Sequence, residues 1–219
     1  MKNISVRLYE LAKMVDFTPI VADIGTDHGY IPYLLLKENK CMIAIATDIS
    51  EPSLKKGKSL LESEFTPFQY DCRVGDGLEV LEPMEANAVI IAGMGGILIS
   101  EVLEKSKEKA MSMDYLILQP MQAEEELMDY LTKEDYQLME VRLVKENKKI
   151  YPIFKMKPGI SEEIISWESF KEDPLFTELC QHKIHVFEEI EEQIQKNSAD
   201  KKGIEEIQQE KRKWEGYLV

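Results

Sequence analysis

The stretch Val21-Ala22-Asp23-Ile24-Gly25-Thr26-Asp27-His28-Gly29-Tyr30 constrains this chain more than any other. An apolar strand pattern over residues 20–24 runs into a glycine-punctuated turn, and the turn runs into an apolar helix pattern from Tyr30 to Leu36. Strand, glycine turn and helix in that order let backbone amides approach a nucleotide-shaped ligand closely. Spacing narrows the choice of ligand. A dinucleotide fingerprint, G-x-G-x-x-G, keeps small residues where the pyrophosphate lies. This chain reads Asp-x-Gly-x-x-x-Gly and puts Asp27 and His28 there. Asp27 would repel a dianion and attract a cation. A tight turn in any α/β fold gives the same letters, so the wider pattern has to decide.

That pattern alternates. Residues 4–15 carry apolar positions at helical spacing ahead of the first strand (Ile4, Leu8, Leu11, Ala12, Val15). Strand patterns follow at 42–47, 68–74, 88–92 and 115–118, the last stopped by Gln119-Pro120, with helix patterns between them. Ser50-Glu51-Pro52 starts one of these helices, with serine as the N-cap and proline in the first turn. Alternating strands and helices predict a parallel sheet. Two final strand patterns, 136–144 and 150–156, are separated only by a short polar loop. A parallel crossover needs a dozen or more residues, so this pair is an antiparallel hairpin. Five parallel strands followed by such a hairpin is the α/β, Rossmann-like sheet of a class I methyltransferase. The cationic ligand then expected is S-adenosyl-L-methionine, with its sulfonium and ammonium.

After Lys157-Pro158-Gly159 the strand patterns end. Leu179, Val186, Phe187, Ile190 and Ile194 mark one helical stripe, residues 197–203 break it, and Ile204, Ile207, Trp214 and Leu218 mark a second. The expected domains are a methyltransferase domain, 1–159, and an appended coiled-coil-like helical hairpin, 160–219.

Ligands in such sheets bind beyond the carboxyl ends of the strands, so carboxylates and glycines there are the candidates. Asp23, with Gly25 and Gly29, is expected to hold the methionine end of the cofactor. Asp48 ends the second strand and can accept both ribose hydroxyls, with Ile49 beside it. Gly75-Asp76-Gly77 follows the third strand, where Asp76 can accept from the adenine amino group; an ordinary turn gives the same letters. Gly93-Met94-Gly95-Gly96 follows the fourth, and its glycines imply close approach to the backbone. No Asn-Pro-Pro-aromatic run stands there, so the usual grip on an exocyclic amino group is missing.

A net charge of −14 argues against a generic nucleic-acid binder, but the charge is uneven. Residues 142–157 hold six cations (Arg142, Lys145, Lys148, Lys149, Lys155, Lys157) against Glu146 alone, whereas residues 160–219 hold fifteen acids against eight cations. A basic ribbon beside an acidic tail is compatible with an oriented polyanion, and equally with the solvated face of a hairpin. Cys41, Cys72 and Cys180 lack metal spacing, and the first two fall in apolar strand patterns. With no signal-like N-terminus and no apolar run of about 20 residues, the expectation is a reducing cytoplasm and no membrane.

Asp-Ile-Gly-Thr-Asp-His-Gly-Tyr, Ala-Gly-Met-Gly-Gly and Leu-Ile-Leu-Gln-Pro together resemble the TrmK family, the bacterial tRNA (adenine(22)-N1)-methyltransferases. The likeness covers residues 1–159, and the helical tail resembles the family's C-terminal coiled-coil domain. It implies that Asp23, Gly25, Gly29, Asp48, Asp76 and Gly93 line the cofactor site. It also implies methyl transfer from S-adenosylmethionine to N1 of a D-arm adenine, with tRNA as the partner. Met121, after Gln119-Pro120, departs from the polar residue expected there. Adenine N1 carries an in-plane lone pair and needs little activation. Asp27 is therefore the candidate catalytic acid, stabilising charge on the ring rather than acting as a base. His28 orients Asp27, packs on substrate, or simply caps the turn. His28, Gly75, Gly77, Met94 and Gly95 complete the expected cofactor set. Arg7, Gln119, Lys148 and Lys149 are the expected substrate contacts, although a solvent-facing arginine is the better default for Arg7. No metal is expected.

Three other functions fit parts of the pattern. A small-molecule N- or O-methyltransferase would share the fold. A metal-dependent hydrolase would use Asp23, Asp27 and His28, but no further His/Asp cluster completes a shell. An interaction protein working through the acidic helices would leave the glycine-rich pocket without a purpose.

Overall fold

The computed structural model describes residues 4–197 and 201–218. The chain divides into two compact units, Met1–Ser166 and Trp167–Val219.

The first unit is built on one seven-stranded sheet. Its strands are β1 (Thr18–Ile24), β2 (Cys41–Asp48), β3 (Tyr70–Val74), β4 (Ala88–Met94), β5 (Tyr115–Pro120), β6 (Tyr136–Glu146) and β7 (Lys149–Pro158), in spatial order β3-β2-β1-β4-β5-β7-β6. The first five pair in parallel; β7 runs antiparallel to both β5 and β6. The expected parallel sheet with a terminal antiparallel hairpin is therefore present. The order reverses between β1 and β4, where a crevice opens beyond the strand ends. Nearly every residue of β1, β2, β4 and β5 is apolar because helices cover both faces.

Helices α1 (Val6–Met14), α2 (Tyr30–Lys37) and α3 (Glu51–Glu62) bury Leu11, Leu35 and Leu61 against alternate strand residues such as Val21, Ala44, Ile90 and Ile117. The intervening positions, Ala22, Ile45, Val89 and Leu116, are also buried and face the other way. Helices α4 (Gly96–Lys105), α5 (Lys107–Ala110) and α6 (Glu124–Lys133) follow β4 and β5. Ser50 caps α3 with its hydroxyl, as its sequence position implies.

Two of the differences from expectation bear on the site. The helix pattern expected between the fourth and fifth strands is broken at Ser106 into α4 and α5. Strand β5 continues through Gln119 and Pro120, which buries Gln119 completely. A proline is tolerated at a strand end, where no further ladder bond needs its missing N–H.

In the second unit, α7 (Phe176–Asn197) and α8 (Lys201–Gly216) are joined by an ion pair, Lys211–Glu188 at 3.0 Å, and by a hydrogen bond from Gln208 to Glu191 at 2.7 Å. Their core is aromatic: Trp167, Phe170, Phe176 and Trp214 are buried, and the two tryptophan rings lie 5.1 Å apart. Leu218, read as part of the second stripe, is instead exposed. Within the expected break at 197–203, residues 198–200 lie outside the described residues. No described helix is long and apolar enough to cross a membrane.

Candidate active site

A cavity of about 200 Å³ opens at the crevice, lined by Arg7, Asp23, Gly25, Thr26, Asp27, His28, Ala92 and Gly93 among others. Two neighbouring strand ends shape it. The Thr47 carbonyl accepts hydrogen bonds from Gly25 N–H at 2.9 Å and Thr26 N–H at 2.8 Å, fixing the first loop on β2. Asp27 N–H donates to Asp48 Oδ2 at 3.1 Å, while Ser50 N–H donates to Asp48 Oδ1 at 2.7 Å. Asp48 thus holds its own loop and the neighbouring one, keeping further lone pairs on both oxygens for a ligand.

Three loop glycines have a side chain lying over them. The Met94 methyl covers Gly25, Arg7 Nη1 stands 4.0 Å from where a Gly93 Cβ would be, and the Gln122 amide covers Gly95. Gly29 is different. Its φ is +70°, and a Cβ there would come within 2.7 Å of Gly57 Cα on α3. This glycine lets two backbones touch.

Asp23 is the most unusual group. It is 2 % exposed, and its Oδ2 has no hydrogen-bond partner among the described residues; neither does the buried Thr26 hydroxyl beside it. Burial, reinforced by the Asp48 charge, pushes its carboxyl up to about 7. A buried acid facing a cavity with an orphaned oxygen lacks a cationic partner. An ammonium supplies one, and a ribose diol suits Asp48. The residues present fit S-adenosylmethionine.

Asp27 is 68 % exposed at the cavity rim, in a left-handed conformation (φ 47°), with Oδ2 2.8 Å from His28 Nδ1. The His28 ring stacks on Tyr30 with centroids 5.6 Å apart.

Arg7 departs from the solvent-facing alternative. Its side chain is 15 % exposed, donating from Nη1 to Gln119 Oε1 at 2.6 Å and facing Glu146 Oε2 at 3.5 Å. Gln119 also donates from Nε2 to the Pro120 carbonyl at 2.6 Å. Gln119, expected as a substrate contact, is fully buried, with its amide oxygen engaged by Arg7 and its nitrogen by the Pro120 carbonyl. Met121, where a polar residue is expected, is half-buried with its sulfur 3.6 Å from Gln119 Nε2.

The other expected residues are dispersed. Ile49 is exposed beside Asp48. Asp76 lies with Gly77 in a separate groove, paired to Lys105 at 3.0 Å. A side chain on Gly75 would strike Val80, so that glycine serves packing. The basic ribbon is smaller than its letters suggest. Lys155 is buried against Asp16 at 2.6 Å, and Arg142 is held by Glu10 and Glu140. Lys148, Lys149 and Lys157 are exposed without an ion pair among the described residues. No group of three or more His, Cys, Asp or Glu among the described residues could hold a metal ion.

Sequence reasoning missed Thr26, Tyr30 and Ala92 in the cavity wall, and Glu146 beside Arg7. Thr26 and Tyr30, inside the opening motif, and Ala92, the first residue of Ala-Gly-Met-Gly-Gly, carried a signal; Glu146 carried none.

The sheet order and the acid-lined crevice define a class I methyltransferase. A family model described as a methyltransferase domain matches residues 4–154. The tRNA (adenine(22)-N(1))-methyltransferase of Bacillus subtilis (strain 168) is 35 % identical over 157 residues, 72 % of this chain. The aligned part spans 66 % of that enzyme, just under two thirds of its length. The crystal structure of the B. subtilis m1A22 tRNA methyltransferase TrmK superposes with a TM-score of 0.84 at 27 % identity, covering 100 % of both chains. The Streptococcus pneumoniae protein crystallised with S-adenosyl-L-methionine has a TM-score of 0.87 at 24 % identity, covering 99 % of this chain and 100 % of that one; this likeness shows the shared fold. The chain belongs to the methyltransferase-domain family and, within it, to the TrmK group.

Proposed function

We propose that this protein transfers a methyl group from S-adenosylmethionine to N1 of an adenine in the D-arm of tRNA, at position 22, and that it works in the cytoplasm. The observation that carries the reading is Asp23, a buried carboxylate with an orphaned oxygen facing a glycine-lined crevice one strand from Asp48. Its similarity to the B. subtilis enzyme named for that reaction supports the choice of substrate.

When bound, S-adenosylmethionine supplies an electrophilic methyl group. The chain supplies the surroundings. Asp23 pairs with the ammonium, and Gly25, His28 and Gly29 form the loop around the methionine end. Asp48 accepts from the ribose, with Ile49 beside the base. Gly93, Met94 and Gly95 line the side near the reacting centre. Asp76, with Gly75 and Gly77, is the proposed adenine contact once released from Lys105. Adenine N1 needs no general base, but the ring gains positive charge. Asp27, held by His28, stabilises that charge. N1 lies on the pairing edge, so the target base is unpaired or flipped out. Arg7, oriented by Gln119, and the exposed Lys148 and Lys149 offer contacts to phosphate. In this division of labour residues 1–159 carry the chemistry and residues 160–219 are an accessory helical domain.

The test is incubation with methyl-labelled S-adenosylmethionine and bulk tRNA, followed by nucleoside analysis and mapping. Label in 1-methyladenosine at position 22 is expected. Label in small molecules only, or at another nucleoside, overturns the reading.

A further inference from the structure

The groups that hold a cofactor do not say how adenine is chosen. Its pairing edge faces the reacting centre, which leaves the N6 amino group and N7 as the edge open to recognition. A carboxamide matches that edge, since its oxygen accepts from N6 and its nitrogen donates to N7. Two glutamines stand near the crevice. Gln119 is buried, with both ends of its amide engaged. Gln122 is exposed, and its side chain has no hydrogen-bond partner among the described residues.

The backbone around Gln122 is firmly placed. Met121 N–H donates to the Met94 carbonyl at 2.8 Å, and Gly96 N–H donates to the Gln122 carbonyl at 2.8 Å. The loop after β5 is thereby stitched to the glycine loop after β4. Ala123 follows with φ 55°, a left-handed turn that a non-glycine residue adopts at a cost. Gly96 has no room for a side chain because the Ala123 carbonyl occupies it. These contacts lay the Gln122 amide over Gly95, two residues along the loop from the cavity-lining Gly93. On the first turn of α4, Ile97 and Leu98 are about half exposed, 52 % and 47 %. A free amide at the rim of a glycine loop, with exposed apolar side chains on the helical turn that follows, suits a planar base with one polar edge.

We propose that Gln122 is the residue that selects adenine, accepting from N6 and donating to N7 of the target base. This rests on the function proposed above. Guanine would set its O6 acceptor against the amide oxygen, and the pair of bonds would be lost.

The test uses the full-length enzyme and two tRNAs, one with adenine and one with 7-deazaadenine at the target position, compared in wild type and Q122L. For wild type, removing N7 is expected to lower kcat/KM about tenfold, the effect of breaking half of a bidentate pair. Q122L is expected to lose roughly ten- to a hundredfold on adenine tRNA and to treat both tRNAs alike. Its S-adenosylmethionine affinity and melting temperature should match wild type. Wild-type indifference to 7-deazaadenine, or a tenfold penalty persisting in Q122L, overturns the assignment. If wild type methylates neither tRNA, the underlying function fails and this proposal falls with it.

Discussion

Replacing Asp23 with asparagine should stabilise the cofactor-free protein at neutral and alkaline pH. The buried carboxyl titrates at about 7 in the folded chain, mainly through burial, against 3.8 for an ordinary aspartate. Below about pH 4 the group is protonated in both the folded and unfolded states and costs nothing. Between about 4 and 7 the folded state holds one more proton than the unfolded chain, so stability falls as pH rises. Above 7 both states are charged and the penalty is constant. Three pKa units correspond to a ceiling of roughly 4 kcal/mol, and local relaxation reduces this to about 2–4. For a chain of this size that is roughly a 5–10 °C rise in melting temperature for Asp23→Asn at pH 8, shrinking towards zero near pH 4. Thermal denaturation of both proteins across pH 4–8 measures it. A difference independent of pH, or a variant less stable at pH 8, would refute the argument. The same proton links to the cofactor. An ammonium paired with Asp23 favours the carboxylate, so wild-type affinity should tighten as pH rises, by up to about tenfold per unit up to 7, and level off above it. Titration calorimetry on Asp23→Asn should show weak binding without that slope.

Asp48→Ala should weaken S-adenosylmethionine binding and also cost about 1–3 kcal/mol of stability, since it orphans the Asp27 and Ser50 amides; calorimetry and urea denaturation separate the two effects. Asp27→Asn should slow methyl transfer roughly 10²–10³-fold with little change in binding of either ligand, read by single-turnover kinetics beside binding titrations; equal losses in rate and cofactor affinity would make Asp27 a cofactor ligand instead. Reversing Lys148 and Lys149 should flatten the log–log salt dependence of tRNA binding by about 1 for each lost phosphate contact, while reversing the already paired Arg142 should act mainly on stability.

The fold was largely legible because its signals are local and repeated. Apolar runs a few residues long between glycine turns specify buried parallel strands, and a polar stretch of only five residues, 145–149, is too short for a parallel crossover; the structure tightens it to a two-residue turn at Asn147-Lys148. The acids at strand ends were legible for the same reason, since topology sends them to one edge. Partnering was not. Nothing in the order of letters says that Arg7 on the first helix meets Gln119 and Glu146, more than a hundred residues away. Nor does it say that Lys155, read as part of a basic ribbon, is buried against Asp16. Strand parity decides both outcomes: Gln119 and Glu146 share the sheet face that α1 covers, and the continuation of β5 through Gln119 sets that parity.

Gly29 looks like part of a ligand signature, yet its nearest neighbour is Gly57, in the middle of a helix that carries no motif. Each is small because the other is close: a Cβ on Gly57 would come within 3.0 Å of the Gly29 nitrogen. The two positions form a single joint between the turn after β1 and the helix after β2. Enlarging either should spread the loops bearing Asp27 and Asp48, and enlarging both should cost less than the sum, since the gap opens once. During divergence such a pair would be expected to change together or stay fixed. The last glycine of the motif then records how two loops are hinged to one another, and its pairing with Gly57 would persist in a descendant that had lost the ligand altogether.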